Sequence, residues 1–111
     1  MAQIFPQSII ELPEADMQIK GVKAYISQGL NHQIIFMEFS EDVVITEHSH
    51  ESQWGVVIEG KIDLIIDGVK NTFVKGDRYF IPKDVIHSGK IYSGYADITY
   101  FNQVDRYKVK M

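Results

Sequence analysis

Apolar positions along the chain do not hold the three-and-four spacing of a helix; they gather as β-branched and aromatic residues between turn formers. Such clusters run from Met17 to Ser27, from His32 to Ser40 and from Val43 to His50, and they predict three strands with short connections. In KIDLIIDGVKNTFV, Ile62, Leu64 and Ile66 alternate with Lys61 and Asp63, so one face of the arm is buried and the other partly wet. Asp67-Gly68 supplies the two positive-φ positions that a tight type I′ hairpin prefers. Gly76-Asp77 predicts a further turn, Pro82 closes a short apolar run, and Tyr95 to Phe101 is the last strong strand. The tail DRYKVKM adds an edge strand or stays loose. Many short strands at even spacing predict an all-β sandwich or barrel.

A length of 111 residues suits one domain, 1–111, and is too short for two. The 45% hydrophobic and 23% charged content is that of an ordinary soluble globule, and no apolar run approaches the roughly 18 residues of a membrane helix. The N-terminus lacks the charged start, apolar stretch and cleavage site of an export signal, so the cytoplasm is the expected compartment. With no cysteine, disulfides, thiolate ligands and thiol nucleophiles are excluded. A net charge of -4, with the lysines scattered, argues against nucleic acid and for a small-molecule partner.

The candidate chemistry lies in histidine. On a strand, residues i and i+2 share a face, so His48 and His50 would project together. Gln53 follows with an amide oxygen, and His87, beyond a proline turn, can complete the set. Three nitrogens and one oxygen form a neutral set suited to a divalent first-row metal such as Zn, Ni, Mn or Fe. His32, in the loop LNHQ, reads as structural, and Trp54 falls on the face opposite Gln53, where packing or a subunit contact is expected.

The chain here resembles the cupins, whose first motif runs G-x5-H-x-H-x3-4-E-x6-G and whose second runs G-x5-P-x-G-x2-H-x3-N. His48, His50 and Gly60 match the first, with Gln53 where glutamate is usual and only two residues between it and His50. Gly76, Pro82 and His87 match the second, with Asp84 in place of glycine and Ile91 in place of asparagine. The resemblance spans about residues 40–92. It implies an antiparallel jelly-roll barrel, about 32–102, with the metal near one mouth on His48, His50, Gln53 and His87, and a homodimer.

A His-His-Gln-His set is similar to that of the pectin-degradation cupins, which help convert unsaturated uronates to open-chain keto forms. Those relatives also use an aspartate, an aromatic residue and an arginine in the closing strand. If Arg106 is the arginine, Tyr100 and Asn102 stand where the aspartate and aromatic would be. Tyr100 is then a candidate acid or substrate donor and Arg106 a candidate partner for a carboxylate. The plainer reading packs Tyr100 in the barrel and leaves Arg106 solvated. With glutamine replacing glutamate, a bound metal keeps its full double charge, which favours Lewis-acid handling of an acidic sugar or keto acid. The expected function is therefore a metal-dependent isomerase, lyase or hydrolase; the alternatives are a ligand-binding module without turnover and a metal-dependent dioxygenase.

Overall fold

The computed structural model describes residues 3–110; residues 1, 2 and 111, the ends of the expected 1–111 domain, lie outside the described residues. One helical turn, α1 (Gln7–Ile10), precedes nine strands: β1 (Val22–Gln28), β2 (Gln33–Phe39), β3 (Val43–His48), β4 (Gln53–Glu59), β5 (Lys61–Ile66), β6 (Val69–Val74), β7 (Arg78–Ile81), β8 (His87–Ile91) and β9 (Ala96–Phe101). They form two antiparallel sheets, in the orders β1-β2-β9-β4-β7 and β3-β8-β5-β6. This is the expected all-β architecture, a double-sheet jelly-roll barrel.

Alternation along the strands builds the interior. In β2, Gln33, Ile35, Met37 and Phe39 are buried and the residues between them are not. Ile26, Ile35, Val57 and Phe101 from the five-stranded sheet and Leu64 and Ile91 from the four-stranded one belong to a single buried cluster. The hairpin forms as predicted, with Asp67 at φ 50 and Gly68 at φ 79 joining β5 to β6. The first predicted strand is shorter than expected, because Gln18 (φ 43) and Gly21 (φ 83) break the extended run before Val22. A second cluster lies outside the barrel, where Ile9, Ile10 and Leu12 pack with Phe5 against Phe36, Ile58 and Ile98.

The tail joins the fold. Asp16 N–H donates to the Lys108 carbonyl and Lys110 N–H to that of Glu14, while the Gln33 side chain bonds both the N–H and the C=O of Tyr107. The two terminal segments thus run side by side along the barrel mouth. Among the described residues, no helix is long and apolar enough to cross a membrane.

Candidate metal centre

Three imidazoles converge from separate places in the chain. His48 ends β3, His87 opens β8 directly opposite it, and His50 lies in the loop leading to β4. The expectation that His48 and His50 share one strand is corrected here: the register shifts between Ile45 and His48 and the strand ends there, so a loop presents His50. That loop is anchored from the second motif. Asp84 N–H donates to the His50 carbonyl at 2.9 Å, and Asp84 itself has φ 64, the left-handed conformation for which glycine is usual at this position and which aspartate tolerates.

The ligating atoms of the three histidines lie within 4.8 Å of one another. Each ring also has its Nδ1 against a backbone carbonyl, His48 to Thr46 at 2.9 Å, His50 to Glu51 at 2.6 Å and His87 to Val85 at 2.9 Å. A carbonyl oxygen only accepts, so each Nδ1 carries the proton and each Nε2 keeps its lone pair. The Nε2 atoms of His50 and His87 stand 3.1 Å apart, an arrangement of two lone pairs that a cation between them satisfies. Burial, reinforced by the positive charge of Arg106 and the neighbouring imidazoles, pushes His50 down to about 4 and lowers His87 as well. Neutral rings with fixed tautomers fit a divalent metal.

The cluster borders a cavity of about 370 Å³ whose lining includes Gln53, Phe101 and Arg106. Gln53 begins β4 opposite Phe101 and Ile81, and its Nε2 donates to the Tyr79 hydroxyl at 3.3 Å. Phe101 stands edge-on to His50 with ring centroids 5.5 Å apart. Arg106 is not simply solvated: its guanidinium lies 4.4 Å from the Tyr107 ring centroid and 5.5 Å from that of Phe101, and its Nε is buried with no partner.

Tyr100 lies elsewhere. Asp97, Thr99 and Phe101 of β9 are buried, so parity sends Tyr100 to the outer face, where it is 38% exposed and stacks on His32 at 4.9 Å. Neither the candidate role as acid or substrate donor nor packing inside the barrel agrees with that position. Asn102, taken as the position of the aromatic, is also exposed. His32 covers Gly29, whose missing Cβ leaves room for the ring, in keeping with a structural role.

The interior also holds a polar group that sequence reasoning did not single out. Asp97 Oδ2 accepts from Tyr79 at 3.1 Å and from Tyr95 at 2.5 Å, while its Oδ1 has no partner. Burial raises the Asp97 carboxyl to about 7, against the opposing effect of the two hydroxyls. The available signal was Tyr95 and Asp97 at the two-residue period of an inward strand face.

The sequence profile of the cupin domain matches residues 35–93. No curated protein matches the chain in sequence. Among solved structures, the chain is similar to an RmlC-like cupin from Shewanella frigidimarina, with 24% identity over 86% of this chain and 88% of that one and a TM-score of 0.74. It is also similar to KdgF from Halomonas sp., with 20% identity over 95% and 97% of the two chains and a TM-score of 0.72. Oxalate decarboxylase from Bacillus subtilis matches at 18% identity, covering 86% of this chain and 28% of that one, with a TM-score of 0.72. The profile match, the two-sheet barrel and the histidines brought together from both motifs lead to one conclusion: the chain belongs to the cupin family.

Proposed function

We propose that this cupin holds a divalent first-row metal on His48, His50, Gln53 and His87 and acts on a small carboxylate-bearing metabolite, an acidic sugar or keto acid, as an isomerase or lyase. The observation that carries the proposal is the buried Nε of Arg106, without a hydrogen-bond partner among the described residues, beside three imidazoles whose Nε2 atoms keep their lone pairs, around one cavity. A planar fork with an unused buried N–H suits a carboxylate. When bound, the metal would polarise a carbonyl or hydroxyl oxygen of the same ligand and lower the pKa of bound water. Phe101 and Tyr107 hold the guanidinium plane, and the apolar wall beneath, including Leu64 and Ile81, limits water around the ligand. The likeness to KdgF, together with the resemblance of the ligand set to that of the pectin-degradation cupins, supports uronates as the first substrates to try. The Mn(II) centres named for B. subtilis oxalate decarboxylase make Mn one candidate beside Zn, Ni and Fe.

Capture of a ligand without turnover is the second reading, favoured by the outward position of Tyr100, which leaves the cavity without the expected phenolic acid. Elemental analysis of the purified protein, followed by assays on unsaturated uronates and 2-keto acids, separates the two. Near-stoichiometric metal that His50→Ala loses, with product formation that Arg106→Gln weakens by about tenfold or more in kcat/KM, is the expected result. Metal-free wild-type protein, or His50→Ala that keeps its metal, overturns the metal site. Binding without product across the panel establishes the second reading.

A further inference from the structure

Position 53 is where the chain departs from the glutamate usual in the first motif, and the barrel interior supplies a reason. A phenol has one proton to give. The Tyr79 hydroxyl gives its proton to Asp97 Oδ2, which also accepts from Tyr95. Toward Gln53, Tyr79 therefore offers only a lone pair, and the group facing it must be a donor. The amide Nε2 of Gln53 is that donor, which turns Oε1 away from Tyr79. Gly55 makes the arrangement possible: it faces Tyr79 across the β4–β7 pair, and a Cβ there would come within 2.6 Å of the tyrosine hydroxyl and closer still to its ring.

We propose that the buried string Tyr95–Asp97–Tyr79 is a positioning device that makes position 53 a neutral oxygen donor: it holds the Gln53 amide with nitrogen inward and Oε1 toward the three histidines, and it rejects glutamate. A glutamate at 53 would set a carboxylate against the Tyr79 oxygen with no proton between them. Were Tyr79 to turn toward it, Asp97 would lose a donor in a site where both partners are buried. Two carboxylates would compete for one phenolic proton. Asparagine at 97 resolves the conflict, since an amide nitrogen in the place of Oδ2 has two N–H groups to donate, one to each tyrosine hydroxyl, and the Tyr79 proton becomes free for a glutamate.

The inference rests on the reading of the histidine cluster as a metal site, and the test keeps the two apart. Mn²⁺ and Zn²⁺ affinities are measured at pH 8 for wild type, Tyr79→Phe, Gln53→Glu, Asp97→Asn and the Gln53→Glu/Asp97→Asn double variant, alongside thermal midpoints of the metal-free proteins. Tyr79→Phe is expected to weaken metal binding about tenfold, the scale on which groups that orient a ligand act. Gln53→Glu alone is expected to lower the metal-free midpoint and bring no gain in affinity. In the Asp97→Asn background the same change is expected to tighten metal binding at least tenfold and to leave the midpoint unchanged. Equal effects of Gln53→Glu in both backgrounds, on affinity and on midpoint, overturn the proposal. If wild type binds neither metal, the metal reading falls, and the melting cycle then decides whether the string governs position 53.

Discussion

Asp97 is the residue whose burial has the plainest consequence in solution. Its folded pKa of about 7 lies above the ordinary value of 3.8, so the folded state keeps this proton to higher pH than the unfolded chain does. The stability this contributes is complete below pH 3.8 and is lost as pH rises to about 7, on the order of 4 kcal/mol in all. His50 works in the opposite direction, because a pKa lowered from 6.5 to about 4 costs stability as pH falls through that interval, and His87 shares the sign. Above pH 6.5 the histidine effects fade and that of Asp97 remains. From pH 6.5 to pH 8 relief of the histidine cost offsets part of the Asp97 loss, so metal-free wild type is expected to lose about 1 kcal/mol relative to Asp97→Asn over that interval. Calorimetry of both proteins at the two pH values checks this difference. The sequence did not reveal this residue because β9 lies between two other strands and carries apolar side chains on its outer face as well. Alternation alone makes Ile98 and Tyr100 the natural inward set; the true inward set is Asp97, Thr99 and Phe101, two of them polar. The spacing of the three histidines, by contrast, was legible, since motif and ligand chemistry both mark it.

Among the elements, the hairpin β5–β6 formed where Asp67-Gly68 placed it, because the turn chemistry is local. The loop carrying His50 was not legible in the same way, since its geometry depends on a contact made more than thirty residues later. Asp84 makes that contact from a left-handed backbone that only glycine, asparagine or aspartate adopts at little cost. Asp84→Gly is expected to leave the unfolding free energy within about 0.5 kcal/mol of wild type. Asp84→Val should lower stability by about 1–3 kcal/mol and weaken metal binding in step, because the strained turn no longer holds the His50 carbonyl. Denaturant melts paired with Mn²⁺ titration read both effects, and unchanged metal affinity in a destabilised Asp84→Val would disconnect the turn from the site.

At the scale of the whole molecule, the outer face of the five-stranded sheet is divided. The N-terminal turn covers one half, while the other presents Trp54, Phe80 and Tyr100 on neighbouring strands, with Trp54 in register with both of the others. These three are 42%, 56% and 38% exposed, which is a large aromatic patch for a protein of this size. A second copy applying the same patch would bury all three at a two-fold interface, and the homodimer expected from the sequence is proposed on this face. Light scattering should give twice the chain mass for wild type and the single mass for Trp54→Glu. A monomeric wild type counts against it.

The paired termini place Asp16, Met17, Arg106 and Tyr107 around the cavity, on segments joined to one another by a few backbone hydrogen bonds. Strands of the barrel open only with global unfolding, whereas segments joined by a few backbone hydrogen bonds open at far lower free energy. If a ligand enters past these segments, its rates of entry and departure are expected to be separated from the stability of the barrel. Amide exchange at Lys108 and Lys110 should run much faster than at Ile35 and Val57, and dissociation rates should follow the former, so that changes in these two segments alter residence time while the melting temperature stays fixed.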